Sequence, residues 1–484
     1  ARRDLIGAMR APPLTAELIE IAALREPRRP ALRDHAHAMD YGQLHAAIVH
    51  CAGWLRQQGV QRGERIAIGG PGFVTQMIVL LAAEAVGAVT ASFVAEGDPD
   101  APFLFTQVTH VFSTTPQDVP PGVAFHALDD AWMQALRQPL PAGQVAWSAT
   151  AWDAAYRIIR TSGSTGASKF MVLTRGAFEY RLRLGPDAPT SPDTRLLMLA
   201  PLVVNACLTR SSAVLRQRGV VMVGGGAEVV QLAPTEVWGL PIQLQRLLAD
   251  VPAGYRAPRA VTVSTAGGLV TPADRARIES VFGGRITSRY GNNEAGSVCD
   301  DVDAAGRGLL SAGCDVRILD EGHRELPEGE YGRIALRTPS MADGYLGRPE
   351  ETAAAFRDGW FLSSDVGALV GPRMLHLAGR QDDLVNIGGL KVPASRLEAA
   401  LRGQPVIADA AALTVHLDDG AITLGLAVVL ANGAAPQQAE AQVAAALHVQ
   451  GDILLRLLVL ADLPRLASGK IDRQALLRLF RQQA

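Results

Sequence analysis

"RIIRTSGSTGASKF", Arg157 to Phe170, decides how the rest of the chain is read. A short apolar strand, Tyr156 to Arg160, runs into a loop of Gly, Ser and Thr that ends at Lys169. Glycines such as Gly163 and Gly166 let successive backbone N–H groups converge on an anion, and Thr161, Ser162, Ser164 and Thr165 add hydroxyl donors. Polyphosphate is the natural guest of such a loop. The Walker-type P-loop has Gly directly before its lysine, whereas Ser168 stands there in this chain, which disfavours that class. Taken alone, the segment fits a flexible Ser/Gly surface loop equally well.

The lysine itself is informative. Of 46 basic residues only three are lysine (Lys169, Lys391 and Lys470) and 43 are arginine. Where Arg has replaced Lys this widely, the surviving lysines are candidates for sites that need a compact ammonium rather than a planar guanidinium.

At 484 residues the chain is long for one core, so two domains, or one large and one small, are expected. Its 48% hydrophobic and 19% charged residues describe a globular protein, and a net charge of −2 gives no footprint for nucleic acid. Four scattered cysteines without a CxxC pair fit a reduced, cytoplasmic chain without a zinc site. The N-terminal "ARRDLIGAMRAPPL" lacks the apolar core of a signal peptide. Met77 to Ala95 is long enough to span a bilayer but carries Glu84, Gly87, Thr90 and Ser92, so it reads as a buried helix turning at Gly87 into a buried strand. No membrane partner is expected.

Helix-like and strand-like patterns alternate through the first third, with Leu44, Ile48, Cys51 and Leu55 at helical spacing before the strand of "GVQRGERIAIGG". Pro116–Gly122 and Pro139–Gly143 look like surface loops. After Gly379 the composition changes: two strands joined at Asp418-Asp419-Gly420, a helix in "PQQAEAQVAAALHV" and a strand in "DILLRLLVLADLP" make an α+β unit of small-domain size.

Seven segments then occur in order from residue 161 to 473. "TSGSTGASK" is followed by "TAGGLV" (Thr265–Val270), "RYGNNEAG" (Arg289–Gly296) and "VRILDEGHRELPEGEYGRIAL" with "GYLGRPEET". "DGWFLSSDVG" (Asp358–Gly367), "GRQDDLVNIGGLKV" (Gly379–Val392) and "LPRLASGKIDR" (Leu463–Arg473) come next. This order resembles the adenylate-forming superfamily of acyl-CoA synthetases, peptide-synthetase adenylation domains and luciferases. The resemblance implies an α/β fold. A large multilayered N-terminal domain with α/β sheets and a β-subdomain spans 1–381, and a small mobile α+β C-terminal domain spans 382–484, with a hinge near Asp382. Ser168 and Phe170 depart from the usual Pro and Gly beside the loop lysine.

The same resemblance implies ATP-dependent activation of a carboxylic acid to an acyl-adenylate with pyrophosphate release. Transfer to the thiol of CoA follows, or to a carrier-protein phosphopantetheine or another nucleophile. Thr161, Ser162, Gly163, Ser164, Thr165, Gly166 and Lys169 would hold the phosphates. Gly267, Gly268, Tyr290, Gly291 and Asn292 would hold adenine, with Tyr290 stacking, and Asp365 and Arg380 would hold the ribose. Glu294 would ligate Mg²⁺, commonly held by one or two carboxylates plus phosphates. Asn293 stands where the family has Thr at the α-phosphate, and its amide N–H is a substitute donor. Lys470 would bridge the acyl carboxylate and the α-phosphate. Gly388, Gly389 and Lys391 would line the pantetheine tunnel once the small domain has turned about Asp382.

The acid itself is poorly encoded. Val203 and Val204 replace an aromatic and a His, and the Asp that holds an α-ammonium in peptide-synthetase domains is absent. A small or medium aryl or aliphatic acid without a free α-amino group is therefore expected. Val203, Val204, Asn205, Gly225, Gly267 and Asn292 would line its pocket, with Asn205 and Asn292 available to a polar substituent. CoA is the expected acceptor, and the sequence leaves the oligomeric state open. A phosphate-loop NTPase or kinase would leave six of the seven segments unexplained. A silent nucleotide-binding protein would be marked by loss of Lys470, Glu294 or Asp365, and none is lost.

Overall fold

The computed structural model describes residues 12–484 apart from 71, 137–146, 149, 162–167, 185–189, 269, 271, 304, 381–383, 388–389, 417–421, 432–433, 436, 439, 441, 444–454, 466–470 and 483–484. The chain divides into two compact units, Ala1–Val316 with Leu336–Leu362, and Arg317–Ala335 with Ser363–Ala484.

The first unit is built from strands β1 (Pro30–Arg33), β2 (Ala38–Asp40), β3 (Arg65–Gly69), β4 (Val89–Phe93), β5 (His110–Ser113), β6 (Ala124–Ala127), β7 (Ala155–Thr161), β8 (Lys169–Thr174), β9 (Arg195–Met198), β10 (Val220–Met222), β11 (Glu236–Trp238), β12 (Thr262–Ala266), β13 (Ile286–Asn292), β14 (Gly296–Asp300) and β15 (Arg307–Leu310). One sheet has the order β6-β5-β3-β4-β7-β8, parallel except for β8. The other runs β15-β14-β13-β12-β11-β9-β10-β1-β2, with a parallel centre from β13 to β1. A layer of helices lies between them. Ile66 and Ile68 of the first sheet share a core with Leu196, Met198 and Trp238 of the second and with Cys207, Leu208 and Val214 of the Asn205–Arg216 helix. The opposite pleat of the second sheet, Leu197, Val237 and Val263, packs on Leu244, Leu247, Ile278 and Phe282 of the Pro241–Asp250 and Pro272–Phe282 helices. This is the layered α/β architecture expected from the sequence.

Local readings hold where they rested on periodicity. Leu44, Ile48, Cys51 and Leu55 lie fully buried on the Tyr41–Gln57 helix, whose N-cap Asp40 accepts from the Gln43 amide. The apolar segment from Met77 is the fully buried Phe73–Val86 helix, closed by Gly87 at φ +83° and followed by β4. Among the described residues no helix is long and apolar enough to cross a membrane. All four cysteines are buried and free. Pro139–Gly143 lie outside the described residues.

Glu84 shows why a carboxylate sits in that apolar helix. It accepts from the backbone N–H groups of Thr15 (3.1 Å) and Ala16 (3.2 Å), the Tyr156 hydroxyl (2.6 Å) and Arg175 Nη1 (3.2 Å). Arg175 also pairs with Glu179, which takes a two-pronged contact from Arg216 at 2.7 Å. Two carboxylates and two guanidiniums thus neutralise each other inside the helical layer.

Arg157 on β7 is different. It is fully buried, and its guanidinium donates to Thr90 Oγ1 (3.2 Å), Ser92 Oγ (3.0 Å) and the Leu202 carbonyl (3.2 Å). No ion pair with a carboxylate is found for it among the described residues, and burial pushes its pKa down to about 10.

In the second unit Asp365–Leu369 pairs antiparallel with Leu375–Arg380. Ile407–His416 and Ile422–Leu430 form the expected antiparallel pair, joined by Leu455–Leu460 parallel to the latter. Their turn at 418–420 lies outside the described residues, as does most of the segment 436–449 read as a helix. The Ala394–Arg402 helix packs one face of this sheet, and the Arg473–Gln482 helix packs the other.

Candidate active site

Five neighbouring parallel strands, β10, β9, β11, β12 and β13, end along one edge of the second sheet. Open α/β sheets bind ligands outside the carboxyl ends of their strands. Gly225 follows β10, Val203, Val204 and Asn205 follow β9, and Gly267 and Gly268 follow β12. Tyr290, Gly291 and Asn292 close β13, and Asn293 and Glu294 come next. Every expected acid- and adenine-pocket residue therefore lies on this edge. Gly267 has φ +80°, and the nearest atom to a Cβ built on it is Leu240 Cδ2 at 3.5 Å.

The end of β7 in the other sheet, which leads into the expected phosphate loop, meets this edge. Asn293 Nδ2 donates to the Arg160 carbonyl at 2.6 Å, tying the end of β13 to the end of β7. One amide N–H of Asn293 is thereby engaged, and an amide carries two. Two aspartates pin both shoulders of the loop: Arg160 Nη1 reaches Asp98 (2.7 Å) and Asp100 (3.4 Å), and the Ser168 N–H donates to Asp100 (3.2 Å). Phe170 is buried and stacks on Phe103 with ring centroids 5.6 Å apart, so this departure from the family pattern anchors the loop exit in a core. Ser162–Gly166 lie outside the described residues.

Lys169 Nζ pairs with Glu351 at 2.7 Å and sits 4.8 Å from the centroid of the Tyr345 ring. The Tyr345 hydroxyl donates to Glu294 Oε1 at 2.9 Å. Lys169 and Arg348 hold Glu351 below the usual carboxylate range, while burial and then the Glu294 charge push the Tyr345 phenol up. Arg181, inside the helical layer, donates to the Asn293 carbonyl (2.9 Å) and the Ser340 carbonyl (2.8 Å). Burial drives its pKa down to about 10, with Glu294 opposing. Tyr345, Glu351 and Arg181 had no role in the sequence reading. Tyr345 and Glu351 lie inside the quoted "GYLGRPEET", but nothing local says that this segment folds back on β8 and Glu294.

In the second unit Asp365 and Arg380 face each other across paired strands, with Arg380 Nε 3.5 Å from Asp365 Oδ1. Lys391 lies on the Leu390–Pro393 strand opposite Asn386. Asp382, Gly388, Gly389 and Lys470 lie outside the described residues.

The AMP-binding enzyme family model matches residues 19–346. The chain belongs to this family. This AMP-binding enzyme is 29% identical over 423 residues to a feruloyl-CoA synthase of Amycolatopsis sp, covering 81% of this chain and 84% of that protein. It is 26% identical over 541 residues to a 3-hydroxybenzoate–CoA ligase of Aromatoleum sp. (strain CIB), covering 99% and 97%. Its fold is similar to ATP-bound MatB from Rhodopseudomonas palustris, with a TM-score of 0.83, 23% identity, and 97% and 99% of the two chains covered.

Glu294 suits Mg²⁺. It is a buried carboxylate oriented by a phenol, beside the loop that would carry phosphates, and Mg²⁺ typically completes its shell from substrate oxygens. We expect Tyr345→Phe to raise the Mg²⁺ concentration for half-maximal pyrophosphate release about tenfold, the usual scale for losing a partner that orients a metal ligand. Affinity for metal-free ATP, measured by equilibrium binding, should stay within about twofold. An unchanged Mg²⁺ requirement would detach Tyr345 from the metal carboxylate.

Proposed function

We propose that this enzyme activates a small or medium carboxylic acid with ATP and passes the acyl group to CoA. The observation that carries the reading is the Asn293–Arg160 hydrogen bond, which ties the strand leading into the phosphate loop to the carboxyl edge of the parallel sheet. An acid lying on that edge has its carboxylate beside the nucleotide phosphates. One carboxylate oxygen forms a bond to the α-phosphorus as the bond to pyrophosphate breaks. The CoA sulfur then attacks the acyl carbon, its thiol proton is lost, and AMP leaves.

Thr161, the 162–166 loop and Lys169 grip the phosphates, Tyr290 the adenine, and Asp365 with Arg380 the ribose. Glu294 would hold Mg²⁺, which would neutralise charge on the phosphates. Asn293, by its remaining N–H, and Lys470 serve the α-phosphate, and Lys470 also orients the incoming carboxylate. Gly388, Gly389 and Lys391 serve the thioester step after rotation about Asp382, the boundary between domains 1–381 and 382–484. The relatives' names supply CoA as acceptor and aryl acids as their substrates. A cytoplasmic location belongs to the same proposal, supported by the four free cysteines.

The test is pyrophosphate release with ATP, Mg²⁺ and a panel of aryl, aliphatic and amino acids, each with and without CoA. We expect pyrophosphate and AMP with one acid class, and sustained turnover only when CoA is present. ADP in place of pyrophosphate would overturn the adenylation reading. Turnover with a carrier protein but not with CoA would reassign the acceptor.

A further inference from the structure

The lysine at the exit of the phosphate loop is already engaged by an anion of the protein itself. Glu351 Oε2 lies 2.7 Å from Lys169 Nζ, and Glu351 Oε1 accepts from Arg348 Nη1 at 2.8 Å. One carboxylate thus serves two cations, and together they keep it ionised at neutral pH.

The partners of the lysine pair differ in freedom. Glu351 lies in the first turn of the Pro349–Ala355 helix, whose start is fastened to β8. Thr352 Oγ1 accepts from the Tyr345 N–H (2.9 Å) and donates to the Arg348 carbonyl (2.8 Å). The Leu346 N–H donates to the carbonyl of Phe170, the chain neighbour of Lys169, at 2.6 Å. Backbone contacts therefore set the carboxylate, whereas the ammonium rides on a flexible four-carbon stem. The side chains of Lys169 and Glu351 are 20% and 38% exposed, so an anion from solvent can reach the pair. Lys169 sits beside the Tyr345 ring, while the hydroxyl of that ring reaches Glu294. This separation from the proposed metal ligand suits the terminal phosphates of a nucleotide rather than its α-phosphate.

We propose that Glu351 is a positioning residue that holds Lys169 in place of the terminal phosphates and takes it back when pyrophosphate leaves. This rests on the reading that gives Lys169 to the phosphates of ATP. An anion arriving at Lys169 exchanges one ion pair for another. Arg348 stays on Oε1, so Glu351 keeps a counter-charge after the exchange. The competition is shallow, because an ion pair with this much solvent contact changes affinity only by a factor of a few. It acts on pyrophosphate as it does on ATP, and so loosens the hold on the first product.

The test is calorimetric binding of Mg²⁺-pyrophosphate, a non-hydrolysable ATP analogue and AMP to the full-length enzyme. Glu351→Gln keeps the shape of the side chain and removes its charge. It should tighten pyrophosphate and the analogue about three- to fivefold, and leave AMP, which lacks the terminal phosphates, within about twofold. Lys169→Ala should weaken pyrophosphate, and adding Glu351→Gln to it should change each Kd by less than about twofold, since the competition needs both partners. Unchanged or weaker pyrophosphate binding by Glu351→Gln overturns the proposal. Equal tightening with and without Lys169, or of AMP as much as of pyrophosphate, overturns it too, because a general charge effect would then suffice. Failure of the wild type to bind the ATP analogue would instead overturn the nucleotide reading of the site, and this inference with it.

Discussion

We expect Lys470→Ala to lower acyl-adenylate formation by about a hundred- to a thousandfold, the usual scale for losing one group that stabilises developing charge in a closed site. Carboxylate and α-phosphate both carry negative charge and must come within bonding distance. A compact ammonium on a four-carbon stem would reach both. Thioester formation from supplied acyl-adenylate and CoA should stay within about threefold of wild type, because pyrophosphate has already left and the proposal assigns that step to Gly388, Gly389 and Lys391 instead. Lys470→Arg should not rescue adenylation, since a planar fork has different reach and geometry. Pyrophosphate release and thioester formation, measured separately on the same preparation, decide the matter. Equal loss in both would refute a lysine dedicated to one half-reaction.

The second large effect concerns folding. Glu84→Ala removes the acceptor for two main-chain N–H groups, a phenol and a guanidinium at once. Arg175, with no exposed surface, keeps one carboxylate, Glu179, which Arg216 already occupies, and two long contacts to the Pro12 and Pro13 carbonyls. Breaking a buried charge network from one side costs about 3–5 kcal/mol, because the remaining charge stays desolvated. We expect Glu84→Gln to lose a similar amount despite its matching shape. Its amide nitrogen would face donors, and the network would carry net positive charge. Urea unfolding followed by tryptophan fluorescence measures both variants. Values within about 1 kcal/mol of wild type for both would show that the network adds little.

Signals confined to short stretches were legible in the sequence. The Tyr41–Gln57 helix, the turn at Gly87 and the strand into the phosphate loop follow from periodicity and from glycine chemistry. The residues expected at the acid and adenine pockets share the carboxyl edge, and that common location comes from strand order, which no single segment contains. Contacts between distant segments stayed hidden. Tyr345 and Glu294 are 51 positions apart, and Arg160 and Asn293 are 133 apart. The abundance of arginine that made three lysines conspicuous also concealed Arg157, Arg175, Arg181, Arg210 and Arg216 among 43 chemically identical side chains. Burial alone separates these five from their solvent-facing counterparts.

The grip of Arg157 on the Leu202 carbonyl has a practical consequence for engineering. Protein engineers seeking a new acid preference would naturally exchange the Val203–Asn205 turn as a cassette. That turn hangs, through one guanidinium, from the strand whose far end begins the phosphate loop at Thr161, only four positions away. A cassette cut at Leu202 would change the seating of its own support and disturb nucleotide handling together with acid choice. The smallest transplant that keeps the joint whole includes Arg157, Thr90 and Ser92 with the turn, three separate pieces of chain that have to be exchanged as one part.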